Sequence, residues 1–349
     1  MTPLALHPVR VAATVAILLT ASLLTACSAN DSQPSKQDEV DVPAGTIVFR
    51  RFTNPEQTQA ALFTMSTDGK GEKQITQPPD GTIDSFPDWS PDGTKIAFHR
   101  EFTDRPYEVH VVNADGSAEH QVDSGGPPIG PADALSEEAQ PAWSPDGKTL
   151  AFTWAFGKIG QLRGEEWIEV GSIATMPVDG SNAKQLTQKK RPTTAEDSTV
   201  TWSPDGRRIA FTRLNKTDKP LDATAVFVAN ADGTDAQRVT PWELAGQEPA
   251  WSPDGKLISF RSEPDPEQDF IGEIHTVKPD GSDLTQLTKA NGKQVLSMSF
   301  SPDSRWIVFS MEGVDHLPDL FVMRNDGSDV TPITRTSEWE STPDWAPGD

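Results

Sequence analysis

The pentapeptide Trp-Ser-Pro-Asp-Gly stands at Trp89–Gly93 and returns unchanged at Trp143–Gly147, Trp202–Gly206 and Trp251–Gly255. Worn copies follow as Phe-Ser-Pro-Asp-Ser at Phe300–Ser304 and Trp-Ala-Pro-Gly at Trp345–Gly348. One unit of such an array cannot bury its own apolar face, so units must stack, and the period dictates the architecture.

Three further signals recur in fixed order. An apolar run ending in Phe closes at Phe49, Phe98, Phe152, Phe211, Phe260 and Phe309. An Asp-Gly pair follows at Asp68-Gly69, Asp115-Gly116, Asp179-Gly180, Asp232-Gly233, Asp280-Gly281 and Asp326-Gly327. A short run ending in Thr closes five units, at Thr76, Thr187, Thr240, Thr288 and Thr334. Pro presets φ for a type I turn, Ser and Asp satisfy its free amides, and Gly takes the left-handed position that closes a hairpin. Each signal is therefore a strand or a hairpin turn. Four antiparallel strands in each of six units predict an all-β fold, a six-bladed β-propeller with four-stranded blades. The repeat domain opens on the second strand of a blade (Thr46–Phe49) and ends on an orphan first strand (Ser341–Trp345). The carboxyl-terminal strand is thus expected to complete the amino-terminal blade and remove a free edge. The tryptophan before each turn is expected in the core between blades.

The pattern Pro-x-Trp-Ser-Pro-Asp-Gly, then Ile-Ala-Phe, then an apolar strand to Asp-Gly, then Leu-Thr, resembles the TolB-type, WD-repeat-like propeller family. That family includes the carboxyl-terminal domain of periplasmic TolB, propellers of prolyl-oligopeptidase-type enzymes and oligogalacturonate lyase. Three departures matter. TolB has a sizeable domain before its propeller, where this sequence has a tether. A peptidase of that type implies a Gly-x-Ser-x-Gly elbow, and the pentapeptide does not occur. The lyase implies a histidine-rich metal site, yet His99, His110, His120, His275 and His316 show no ligand-like spacing.

The amino terminus carries Arg10, an uncharged run from Val11 to Leu24, and then Leu24-Thr25-Ala26-Cys27. The run is too short for a membrane span and has the layout of a secretory signal. Its end resembles a bacterial lipobox, which implies cleavage after Ala26 and a diacylglycerol, with further acyl chains such as palmitate, on Cys27. Cys27 is the only cysteine in 349 residues, so no internal disulfide can form and stability must come from a large core. Residues 1–26 are expected to be a lipoprotein signal peptide, 27–44 the lipidated cysteine with a disordered tether, and 45–349 the propeller. The product would be an exported protein held at the outer face of the cell membrane, or at the outer membrane of a Gram-negative envelope. A net charge of −22 argues against nucleic acid and against an electrostatic hold on anionic lipid, leaving the acyl group as the membrane contact. A monomer is expected.

All Ser-Pro-Asp-Gly and Asp-Gly turns share one face of a propeller, and the longer connections lie on the other. Binding is expected on that long-loop face, where Val122 to Gln140, the loop with Lys189-Lys190-Arg191 and the hairpin Thr153–Ile173 stand out. Within that hairpin Trp154, Phe156 and Trp167 are candidates for a protein partner, or for a small satellite core. Five residues before the anchor aromatics stand Asp84, Glu138, Asp197 and Glu340, candidates for a carboxylate ring at the channel mouth that holds calcium or a cationic group. No nucleophile–base pair is visible, and Gly125-Gly126-Pro127-Pro128 lacks the Gly-Lys-Ser/Thr of a phosphate loop. Two readings stand: a non-catalytic, lipid-anchored propeller binding a protein or small molecule through its long loops, or a calcium-dependent hydrolase or lactonase-type enzyme at an acidic mouth.

Overall fold

The computed structural model describes residues 42–123, 134–158, 171–187, 195–215, 223–263, 272–313 and 316–348, apart from the side chains at 134–138 and 156–158. Residues 1–41 with Cys27, the side chains of Glu138 and Phe156, Trp167, Gly125 to Pro128 and Lys189 to Arg191 lie outside that set.

The Ser-Pro-Asp-Gly turn forms as its chemistry dictates. Ser90 Oγ donates to Asp92 Oδ1 at 2.7 Å, that oxygen also accepts the Thr94 amide, and Ser90 Oγ accepts the Lys95 amide at 2.9 Å. These bonds hold the Asp92 carboxyl down at about 2, the Ser90 hydroxyl contributing most. Gly93, Gly147, Gly206 and Gly255 take φ between 67° and 73°, where a Cβ is costly. In the worn copy Ser304 occupies the same region at φ 61°, and its Oγ accepts the Asp254 amide of the neighbouring turn. The hydrogen bond offsets the conformational cost.

Six four-stranded antiparallel units follow. Blade 1 combines Glu340–Trp345 with Thr46–Phe52, Ala60–Ser66 and Lys73–Gln74. Blades 2 to 6 begin with the innermost strands Ile83–Trp89, Ala134–Trp143, Ala195–Trp202, Gly246–Trp251 and Val295–Phe300. The carboxyl-terminal strand pairs with the amino-terminal one, Ile47 facing Trp345 and Arg51 facing Glu340. A single parallel bridge, Ala60 to Ile83, joins blades 1 and 2 into one sheet.

The core lies between blades. Trp89, Ile96 and Phe98 of blade 2 pack on Val48, Leu62 and Ile75 of blade 1, and Trp143, Leu150 and Phe152 of blade 3 pack on Ala97, Val109 and Val111 of blade 2. Phe49, Phe98, Phe152, Phe211, Phe260 and Phe309 are all fully buried. Burying one such ring contributes roughly 1.5–3 kcal/mol, so the six phenylalanines alone are a major share of the driving force. The recurrent Thr ties strand to strand: Thr76, Thr187, Thr240, Thr288 and Thr334 Oγ1 accept the amides of Leu62, Ile173, Val226, Ile274 and Leu320 at 2.9–3.0 Å.

Candidate functional site: the central channel

The innermost strands enclose a cavity of about 740 Å³, within the range of small-molecule sites. Its shape follows from a defect repeated six times. Each innermost strand slips register against its neighbour two or three residues before the anchor aromatic, as between Ser85 and Asp88 or Gln247 and Ala250. Five residues at this bulge have left-handed φ: Phe86, Gln140, Thr199, Glu248 and Thr342, between 47° and 54°. Bulges re-aim side chains, and strained non-glycine residues concentrate at functional sites. Here two layers of side chains line the cavity: a bulge layer (Phe86, Gln140, Thr199, Glu248, Ser297, Thr342) and, two residues on, Asp88, Ala142, Thr201, Ala250, Ser299 and Asp344.

Asp88 and Asp344 dominate the second layer. Asp344 Oδ1 accepts Ser299 Oγ at 2.6 Å and its Oδ2 accepts the Trp89 amide at 2.8 Å, while Asp88 Oδ2 accepts the Trp143 amide at 2.7 Å. Each carboxyl thus bridges to the next blade, with the channel as its open side. Burial pushes Asp344 up to about 6, against the pull of the Ser299 hydroxyl and two amides. Burial first, and the charge of Asp344 second, push Asp88 well above the carboxylate range. Two carboxyls raised above their ordinary value on one cavity wall can serve as proton donor and acceptor.

The carboxylates expected to ring the mouth are placed otherwise. Asp84, Asp197 and Glu340 are fully buried within their blades. Arg100 forks onto Asp84 at 2.6 and 2.9 Å, and Arg213 onto Asp197 at the same distances. Arg51 binds Glu340 and extends to Glu72. The arginine stands two residues after each blade's phenylalanine, directly opposite the acid in the ladder, so the pairs follow from register. Burial pushes Asp84 and Glu340 upward against these partners. The three do not meet at a common point, and among the described residues no cluster of three or more His, Cys, Asp or Glu is arranged for a metal. Trp154 is likewise fully buried, tilted against Phe152 in the core between blades 2 and 3. Phe156 and Trp167 fall outside the described side chains.

Of the histidines, His99 packs against the channel wall. His99 Nδ1 accepts the Gln140 amide at 3.1 Å, so its Nε2 proton faces Glu101 Oε1, and the ring stacks between Phe86 and Tyr107. In the sequence Asp88 and Asp344 are hidden as the variable position of the Pro-x-Trp pattern. Aligning the residue before each anchor gives Asp88, Ala142, Thr201, Ala250, Ser299 and Asp344, and that column isolates the two acids.

A ring of four-stranded blades around a polar channel defines a β-propeller, with its candidate site on the axis. The chain belongs to the TolB beta propeller domain family, PD40, whose model matches residues 159–349. The fold is similar to TolB from Acinetobacter baumannii, at a TM-score of 0.65 and 20% identity over 87% of this chain and 67% of that one. In sequence the chain is 25% identical over 208 residues to the uncharacterized peptidase YuxL of Bacillus subtilis, covering 51% of this chain and 30% of that protein. It is 34% identical over 95 residues to dipeptidyl-peptidase 5 of Porphyromonas gingivalis, covering 27% of this chain and 14% of that protein. The chain therefore spans less than a third of the length of these relatives. They overturn the expectation of a non-catalytic binding propeller, since they are named as peptidases. The calcium-dependent alternative loses three of its four expected ligands to arginines. Among the described residues no helix is long and apolar enough to cross a membrane.

Proposed function

We propose that this chain has a hydrolase-type function on peptides, exercised at the central channel. The observation that carries the reading is the sequence match to two proteins named as peptidases. The cavity has room for a few residues of extended peptide, and Asp88 with Asp344 supplies the proton chemistry. The ionised carboxylate takes a proton from water as its oxygen adds to the peptide carbonyl, and the neutral carboxyl protonates the carbonyl oxygen. Collapse of the tetrahedral adduct delivers a proton to the departing amine. The test is incubation of the purified protein with a peptide mixture from pH 4 to 9, with products read by mass spectrometry. Cleavage should rise as pH passes about 6, where Asp344 ionises. Asp88→Asn and Asp344→Asn should each lower it by about 100-fold or more. No cleavage at any pH, or unchanged cleavage in both variants, refutes the reading.

The same proposal includes export, with residues 1–26 as leader, lipidated Cys27 as the membrane contact, 27–44 as tether and the propeller from 45 onward. Growth with a radiolabelled fatty acid should mark the protein and leave Cys27→Ala unlabelled; equal labelling of both would exclude the anchor.

A further inference from the structure

Blades are copies of one another, so the groove between blades 2 and 3 on the Ser-Pro-Asp-Gly face has a counterpart between blades 4 and 5. It is a cavity of about 440 Å³ with Val111 and Trp143 as apolar floor and Asp92, Lys95, His120 and Asp146 among its polar sides. Lys95 of blade 2 and Arg208 of blade 4 hold the same place, three residues before the phenylalanine. Arg208 lies over the anchor indole of the next blade, 4.9 Å from the centre of the Trp251 ring. Lys95 instead donates from Nζ to Asn113 Oδ1 at 3.1 Å, and among the described residues no cation lies over Trp143, the anchor that corresponds to Trp251. The rim differs in the same sense. Two residues after the turn aspartate stand Lys148, Arg207, Lys256 and Arg305, but Thr94 in blade 2. Lys256 Nζ and Arg305 Nε each reach Oδ2 of their own aspartate at 2.8 Å. Asp92 Oδ1 accepts the Ser90 hydroxyl and the Thr94 amide and hydroxyl, while its Oδ2 enters no ion pair among the described residues. One groove thus lacks two cations that the repeat supplies elsewhere.

We propose that this groove binds the guanidinium of an arginine residue from a basic partner polypeptide, laid over the Trp143 indole with its edge toward Asp92 Oδ2. A guanidinium is planar and weakly hydrated, so one group stacks on an aromatic face and still donates from its rim to a carboxylate; an ammonium lacks the plane. Asp146 is the second carboxylate of the groove, its Oδ1 held by the Ser144 hydroxyl and the Lys148 amide. The facing cations are Lys95, held by Asn113, and Lys148, whose Nζ is 3.9 Å from Asp146 Oδ2 with both side chains largely exposed, an arrangement that binds weakly. His120 Nδ1 donates to the Ala118 carbonyl at 3.0 Å. A net charge of −22 draws a basic partner and repels an acidic one. The groove lies between blades rather than on the axis, and its occupancy does not depend on peptide cleavage in the channel.

The test follows the Trp143 indole N–H by NMR, its signal assigned by loss in Trp143→Phe. N-acetyl-arginine amide should shift that signal saturably, N-acetyl-lysine amide should bind more weakly, and N-acetyl-citrulline amide, which has the shape without the charge, should bind roughly tenfold more weakly than the arginine. Lys95→Arg brings the arrangement of blade 4 into this groove, and Thr94→Lys restores the cation of the other turns. Each variant should melt no lower than wild type and lose roughly tenfold in affinity for the capped arginine. No saturable shift at tens of millimolar capped arginine, equal affinity for the citrulline or the lysine compound, or unchanged affinity in both folded variants overturns the site. A short peptide with one arginine among alanines should bind at least as well as the capped residue; weaker binding refutes the polypeptide as its source.

Discussion

At the scale of single residues, Asp88 and Asp344 set stability against function. Both carboxyls are raised above the ordinary value of 3.8. The folded state therefore holds its proton more tightly than the unfolded chain, and the contribution to stability is complete below about pH 4 and lost as pH rises through 6. A shift from 3.8 to about 6 corresponds to at most about 3 kcal/mol. Asp88→Asn removes the charge that Asp344 opposes, and its amide oxygen can still accept the Trp143 amide. Thermal melts should place this variant level with wild type at pH 4 and above it only once rising pH ionises the wild-type Asp88, while cleavage is lost. A variant equally destabilised across that range would mean that the pair acts only as an interblade tie. The two acids were legible in the sequence as letters, but their environment was not, since burial and the second carboxyl come from strands at opposite ends of the chain.

At the scale of elements, the recurrent threonine is a small part with a fixed job. Thr187→Val leaves the Ile173 amide without its acceptor inside blade 3, and Thr240→Val does the same to Val226 in blade 4. Denaturant unfolding should register a loss of about 1–3 kcal/mol for each, and the double variant should come close to the sum because the sites share no partner. A loss under a few tenths would mean that the amides find other acceptors. Strands, turns and their order were readable because Pro, Gly and alternating apolar residues report local geometry. The acids five residues before four of the six anchors were readable too, but their placement was not. Asp84, Asp197 and Glu340 point along the sheet to an arginine rather than toward the axis, because the bulge between acid and anchor changes which side each residue faces.

At the scale of the whole molecule, the channel is a product of the ring rather than of any blade. Each of the six innermost strands contributes the same two layers, so six small deviations in a repeated column decide its chemistry: Asp, Ala, Thr, Ala, Ser, Asp in one layer and Phe, Gln, Thr, Glu, Ser, Thr in the other. A repeat announces the scaffold through what its copies share; the site lies in how they differ, which pattern matching averages away. The seam carries a last consequence. The Ala346 amide donates to the Thr46 carbonyl at 2.9 Å, and Asp344 at this join is bonded to blades 6 and 2 at once. Topologically the propeller is a circle cut at one place, and both carboxyls of the Asp88–Asp344 pair sit beside the cut. The strand Glu340–Trp345 therefore brings one of the two carboxyls with it, and the site comes into existence only when the circle closes.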